Sequence, residues 1–597
     1  MRGARPRSGS LVFRLNPVPA CPLQAIALAC LLLSASFGVQ GQVSPTAPRP
    51  FVEEQRQQER ERALREQQER TVDERLPAPA KTEDRRLPDK ESPCFRIDRV
   101  LLVGEASEQF QWAVDSAAGS SHDDSPIGRC IGTAGVNTVL ARLQQALIGR
   151  GWVTTRVLAA PQDLAQGTLT LTLVPGRIAA LRFSDGSTAR TSLLTAIPAR
   201  AGDLLNLRDI EQGLENFKRL PTAEADIQIE PSKTANAKPG DSDLVIQYTQ
   251  KMPLRMTLSL DDSGTDATGQ LQTGATVAWD NPLGLNDLFY VSLNHDAFNH
   301  HGSGTSGQTV HYSVPYGDWL LGATASQGKY HQSVQGLNQT YVYAGETSNA
   351  EVRLSRLLYR DASRKTTASV RAFRRASSNS VDDTAIDVQR RVVGGWEASL
   401  NHKEFVGAAT LEGTLAYRRG THAFGALAAP EDAFGEGTSY FHLMTAEVSA
   451  NVPFTLGGQK LRYGGLWRAQ WNGTQLTPQD RFAIGGRYTV RGFDGETNLL
   501  GDRGWLLRND LGWALGQTGA ELYLGLDCGH VGGRSTAQGL GNHLAGGVVG
   551  VRGALPGALP GALKGLNYDL FVGAPISKPE GYRTAKVTGG FNLNFSF

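Results

Sequence analysis

An all-β transmembrane barrel of about sixteen antiparallel strands, preceded by two small α+β units and an N-terminal helix, is the fold this sequence predicts. Three observations predict it. From Met252 to Phe597 the chain runs in alternating apolar and polar segments of roughly ten residues, the signature of strands that face lipid on one side. The 597 residues include 68 glycines and have a negative mean hydropathy of -0.28, as expected when only alternate residues are apolar. Only one long apolar run exists, near the N-terminus, so helical membrane spans are excluded. The formal charge of +2 gives no large field toward nucleic acid.

Residues 1–41 read as a secretory leader. Arg2, Arg5, Arg7 and Arg14 form a basic start, Ala25 to Ala35 an apolar centre, and Val39-Gln40-Gly41 a small-residue cut site ahead of Gln42. Cys21 and Cys30 leave with the leader, so Cys94, Cys130 and Cys528 remain. An exported protein can keep a disulfide, and Cys94 with Cys130 is the expected pair. Cys528 is expected on a lipid face as a small apolar residue.

Residues 42–75 hold the N-terminal helix. Val52 to Arg70 is built of good helix formers, with Glu61/Arg65 and Glu66/Arg70 spaced to pair. Ala63 and Leu64 are the only residues along most of its length that ask for burial, and such a helix either lies in water or fills a polar cavity. A proline-containing, mixed-charge linker follows over 76–93.

Residues 94–175 read as a first α+β unit. Arg96 to Val103 alternates as a strand, and Val136, Val139, Leu140, Leu143 and Leu147 recur at helical spacing. Strands over Trp152 to Leu158 and Thr168 to Val174 complete it. The second unit, 176–251, repeats the order with strand Ile178 to Phe183, helix Leu207 to Arg219, and strands Ala225 to Glu230 and Ser242 to Tyr248.

The barrel occupies 252–597. Its first strand turns Leu254, Met256, Leu258 and Leu260 outward and Arg255, Thr257, Ser259 and Asp261 inward; its last turns Phe591, Leu593, Phe595 and Phe597 outward. Short turn signals stand at 280–284, 315–318, 359–363, 453–457 and 516–519. One long stretch, 472–503, does not alternate. Counting strands places it between strands twelve and thirteen, on the side away from the short turns. From Glu521 to Gly529 the odd positions, Asp527 among them, oppose Leu522, Leu524, Leu526 and Cys528. The apolar set faces lipid, so Asp527 faces the lumen. The repeat at 553–563 falls in a short-turn connection, and no function is assigned to it.

Within the non-alternating stretch, Val490-Arg491-Gly492-Phe493 resembles the inward-folded loop motif of the outer-membrane protein-translocating barrels, specifically the transporters of two-partner secretion. In that family the loop arginine meets a barrel-wall aspartate from a Phe-x-Asp-x-Gly-like strand. Asp527 and Gly529 match it; Leu526 does not match the aromatic sometimes seen there. Gly128 to Gly132, Gly151 to Val157 and Pro161 to Leu164 resemble the family's first polypeptide-transport-associated (POTRA) domain, and Asp209 to Pro221 the helix of its second. Two such domains are the two-partner pattern.

The resemblance implies an outer-membrane location with the POTRA domains in the periplasm. It implies a haemagglutinin- or haemolysin-like exoprotein, recognised through an N-terminal secretion domain and exported through the pore, with activation of that exoprotein a further family activity. The helix would be a removable lumen plug or a solvated tether. Phe597 would be the terminal aromatic by which the barrel-assembly machinery recognises the chain, with outer-membrane lipid as the barrel's other partner. The rival readings are a barrel-protein insertase of the same superfamily, which usually carries more periplasmic domains, and a passive gated porin, which needs none.

No enzyme is expected. The sequence lacks a phosphate-binding Gly-Lys-Ser/Thr loop, a nucleophile elbow and zinc-type Cys/His spacing. No cofactor or metal follows from it, and His295, His300 and His301 read as polar loop histidines.

Overall fold

The structure, a computed structural model, describes residues 50–69, 72–76, 85–187, 190–298, 302–516, 518–537, 539–555 and 565–597. The leader, Arg70, His300, His301 and most of the 553–563 repeat lie outside the described residues.

Sixteen long antiparallel strands close into a barrel. They are β1 (Leu254–Asp261), β2 (Gln272–Asp280), β3 (Leu288–Asp296), β4 (Gly304–Tyr316), β5 (Trp319–Gln335), β6 (Thr340–Arg360), β7 (Arg364–Val381) and β8 (Arg391–Val406). The other half comprises β9 (Ala409–Thr421), β10 (His442–Leu456), β11 (Gln459–Asn472), β12 (Arg503–Ala514), β13 (Ala520–Gly532), β14 (His543–Ala554), β15 (Leu566–Ser577) and β16 (Thr588–Ser596). Closure satisfies every strand edge, which a sheet in lipid requires. β1 has 8 residues and β6 has 21; since about ten residues cross a bilayer, the wall around β6 projects well beyond it.

The long loop, 473–502, joins β11 to β12, which corrects the count that put it between strands twelve and thirteen. Parity gives the reason. With both barrel ends on one side, only odd-to-even connections reach the other, so a loop after strand twelve would lie with the short turns. At roughly ten residues per strand, the 21 residues of β6 carry the alternation of two strands, which moves the count up by one.

The first α+β unit has a three-stranded sheet in which Arg99–Val103 lies parallel, and Arg156–Leu158 antiparallel, to Thr168–Val174. Helix α2 (Thr133–Gly149) buries Val139, Leu143 and Leu147 against Leu169, Leu171 and Leu173. The strand expected from Arg96 is broken, because the Ile97 N–H donates to Arg129 O and the Asp98 N–H to Gly167 O. The strand expected from Trp152 starts only at Arg156, since the Trp152 N–H closes the end of α2 on Leu147 O. Cys94 and Cys130 are disulfide-bonded, 36 positions apart, which by loop closure contributes about 2–4 kcal/mol. Glu91 accepts from the N–H groups of Gly132, Ala134 and Gly135 at 2.7, 2.8 and 3.0 Å. That carboxylate satisfies the orphan donors at the start of α2, so the end of the expected linker is tied to this unit.

The second unit orders its strands Arg177–Phe183, Asp241–Gln250, Ala223–Pro231, behind α3 (Leu193–Ala196) and α4 (Leu207–Lys218). The Asn206 side chain caps α4 by accepting from Arg208 N–H. This unit sits on the short-turn end of the barrel. Asn286 donates to Ser192 O at 2.8 Å, Asn216 to Gly317 O at 2.8 Å, and Arg360 pairs with Glu211 and Glu215 at 3.0 Å each.

In the first turn of α4, burial raises the Asp209 carboxyl from the ordinary 3.8 to about 6, with like charge from Asp318 and Asp203 adding to it. The folded state therefore holds a proton that the unfolded chain has released, so stability falls as pH rises from about 4 to about 6 and levels above that. Asp209→Asn should flatten that part of the profile. Melting of the full chain at stepped pH checks it; parallel profiles for the two proteins would exclude Asp209 as the source.

Candidate functional site

The barrel lumen is polar and occupied. Helix α1 (Pro50–Gln68) runs through it, and residues on nearly all of its faces meet the wall or the loops. Thr265 and Thr268 donate to Glu53 at 3.2 and 3.1 Å, and Arg56 donates to Gly495 O at 2.6 Å. Farther along, Thr347 donates to Gln57 at 2.8 Å and Ser326 to Glu61 at 2.5 Å. Arg62 pairs with Glu447 and Arg65 with Glu351, both at 2.7 Å. Glu69 meets His311 at 2.9 Å, and just beyond the helix Asp73 meets Lys403 at 2.5 Å. Glu61 and Arg65 thus reach the wall, whereas the i,i+4 pair along the helix is Arg62–Glu66, at 3.0 Å. A helix polar on every face is accounted for by a polar cavity. Close approach is permitted by Gly328, where any Cβ would meet the Gln57 amide within 2.4 Å.

The wall carboxylates that receive the arginines of α1 also have arginines of their own. Glu447 pairs with Arg468 at 2.8 Å and Glu351 with Arg371 at 2.7 Å. Arg371 and Arg418 share Glu397, each at 2.8 Å. Removing α1 therefore strands no wall carboxylate here. A cavity of about 940 Å³ remains beside the helix.

The structure brings Arg491 and Asp527 together. Arg491 donates from Nε and Nη2 to the two carboxylate oxygens at 2.7 and 2.9 Å, and its backbone N–H donates at 3.0 Å. Both residues are buried, at 5% and 4% exposure. Asp510 is a second acceptor, 2.5 Å from Arg491 Nη2. It was legible in the same way as Asp527, since β12 puts Arg508 and Asp510 on the lumen face opposite Asp527 and Gly525. Two glycines make room: a Cβ on Gly525 would stand 2.7 Å from Arg491 Nη2, and one on Gly529 3.0 Å from Val490.

The rest of the motif has equally concrete tasks. Gly492 has φ +92°, and a Cβ there would meet Ala574 O at 2.5 Å, so only glycine fits this approach to the wall. Val490 and Phe493 belong to an apolar cluster inside the lumen with Ile484, Leu499, Leu506, Val531, Leu544 and Tyr582. Phe493 meets Tyr582 edge-on, centroids 5.7 Å apart. Tyr582 comes from the β15–β16 loop and had no sequence signal.

Elsewhere, Cys528 lies on the face opposite Asp527, and His295 contacts Asp296 at the end of β3. Phe597 exchanges backbone hydrogen bonds with Met256 of β1 at 2.9 and 3.0 Å.

Comparison with known proteins agrees with this architecture. The family profile for haemolysin secretion/activation protein ShlB/FhaC/HecB matches residues 240–553, with a ShlB-type POTRA domain over 115–176 and a POTRA domain over 177–231. The outer membrane transporter CdiB-2 of Burkholderia pseudomallei (strain 1026b) is 38% identical over 566 residues, 91% of this chain and 94% of that protein. The outer membrane transporter CdiB of Dickeya dadantii (strain 3937) is 27% identical over 518 residues, 85% and 87% of the two. Among solved structures, CdiB from Acinetobacter baumannii superposes with a TM-score of 0.79 at 28% identity, covering 92% of this chain and 98% of that one. The chain therefore belongs to the haemolysin secretion/activation protein family, the non-enzymatic outer-membrane transporters of two-partner secretion, and exports an exoprotein.

Proposed function

We propose that the exoprotein docks its N-terminal secretion domain on the two periplasmic POTRA domains and passes through the lumen once α1 has left. It then folds outside. The observation that carries this is the ion-paired wall around α1, which keeps its own partners when the helix goes. Docking is supported by the strand edges of the POTRA sheets. Among the described residues Ala223–Pro231 pairs only with Asp241–Gln250, and the edge strand Arg99–Val103 exposes Leu101 and Val103. An extended segment adding to such an edge gains backbone hydrogen bonds and side-chain pockets together. The Arg491–Asp527 pair holds the inserted loop against the wall. Two relatives at about a quarter identity are named haemolysin transporter proteins, from Proteus mirabilis and Serratia marcescens, so a haemolysin- or haemagglutinin-like exoprotein is the expected cargo. Folding outside supplies a driving force in a compartment without ATP.

The test is site-specific photo-crosslinking from Glu224 or Asp226 in the full-length transporter in living cells. One large secreted polypeptide, caught near its N-terminus, is the expected adduct. Capture of many different outer-membrane barrel precursors instead would identify an insertase and overturn the reading.

A further inference from the structure

The shortest pairing among the sixteen strands of the barrel is where its ends meet. β16 and β1 pair only from Phe597 opposite Met256 to Asn592 opposite Asp261, whereas β6 and β7 pair from Tyr343 opposite Val381 down to Arg360 opposite Lys365. On this edge of β16 the outward-facing backbone groups recur with period two, as the Phe597 N–H and C=O show by bonding to Met256. Phe591 presents the same pair of groups six residues on. Continuing the register would put Asp262 opposite Phe591, but β1 ends at Asp261.

Side chains complete what the strand leaves out. The Phe591 N–H donates to Asp262 Oδ1 at 2.9 Å, and Phe591 O accepts from Arg487 Nη2 at 3.0 Å. Arg487 Nη1 closes the triangle on the same Asp262 oxygen at 2.9 Å, with Asp261 at 3.8 Å and the Phe571 ring 5.3 Å beneath the guanidinium. A carboxylate taking the N–H and a guanidinium serving the C=O reproduce the two bonds of an antiparallel rung. Arg487 belongs to the inserted loop, four positions before Arg491, so one short segment holds the β12–β13 wall at one end and the seam at the other.

We propose that Arg487 and Asp262 form the outermost rung of the barrel's closing seam, so that the seat of the inserted loop sets how firmly β1 and β16 are joined. Arg487 is a positioning residue in this scheme. Withdrawal of the loop removes the rung, and the seam is then held by its short backbone ladder and the Thr257–Ser596 hydroxyl contact at 3.1 Å. This goes beyond the passage of cargo through the lumen and stands whether or not α1 leaves.

Hydrogen exchange on the full-length protein in lipid nanodiscs tests it. In Arg487→Gln the amides of 588–597 should exchange roughly tenfold faster or more, the loss expected for a hydrogen bond to a charged group, while β6 and β7 stay as in the wild type. Asp262→Asn, which keeps an acceptor for Phe591 but loses the ion pair, should give a smaller increase in the same peptide. Ser259 and Asn594 are register partners on the lumen face, so an S259C/N594C disulfide should hold the seam without the rung. In that oxidised background R487Q should exchange at the wild-type rate, and this arm also serves if R487Q alone assembles poorly. Unchanged exchange at 588–597 in R487Q, or fast exchange that survives the crosslink, would overturn the proposal.

Discussion

Arg491→Ala will reduce exported exoprotein at least tenfold while the barrel still assembles. Truncation leaves Asp527, 4% exposed, with the loop's backbone N–H and with Arg508, whose Nε is 3.9 Å away. Breaking a buried pair by removing one partner costs on the order of 3–5 kcal/mol, because the remaining charge is stranded. That cost falls on the seating of the loop rather than on the strands. β12 and β13 keep their ladder from Arg503 opposite Gly532 to Ala514 opposite Glu521, so the barrel should still resist unfolding by detergent at room temperature. Arg491→Lys should recover only part of the loss, since an ammonium cannot span both Asp527 oxygens and Asp510 as the guanidinium fork does. Secreted protein in the medium, set against folded barrel in the outer membrane, gives the two readings. Wild-type export by the alanine variant would remove the pair from the mechanism.

The second large effect is expected on the closed state. R62E/R65E places like charges against Glu447 and Glu351, where the wild type has pairs at 2.7 Å. Like-charge juxtaposition of this kind costs several kcal/mol, and about 5.5 kcal/mol is enough to take a closed-to-open ratio from 99:1 to 1:99. The helix should therefore leave the lumen most of the time. The wall keeps its own pairs through Arg468 and Arg371, so the barrel itself should remain stable. In planar bilayers the variant should show a several-fold larger, sustained conductance where the wild type is mostly closed. R62Q/R65Q, which removes attraction without adding repulsion, should fall between. Closed channels in R62E/R65E would mean that other contacts hold the helix.

The barrel was readable because period-two alternation is imposed by lipid on one face and water on the other, at every strand. The same constraint made Asp527 a lumen residue before any partner was known, and it applies equally to Asp510. What alternation does not carry is the count: a strand of 21 residues such as β6 carries the alternation of two strands of about ten, and the loop's position came out one strand too far along. Helix α1 was legible as a helix but not in its pairings, because the lumen wall offers Glu61 and Arg65 better partners than each other. Tyr582 and Asp262 act from loops distant in sequence, and only the closed barrel brings them to the motif.

The unequal strands have a further consequence. The second POTRA domain ties down the short-turn ends from β2 to β7 and runs directly into β1, so the difference between 8 residues in β1 and 21 in β6 appears at the cell surface. At roughly 3.3 Å per residue and a strand tilt near 40°, the rim stands about 30 Å higher on the β6 side than above the seam. A polypeptide leaving the lumen thus meets a parapet on one side and a low sill on the other. If the exoprotein folds as it emerges, as proposed, its first turns accumulate over the sill, beside the rung formed by Arg487 and Asp262.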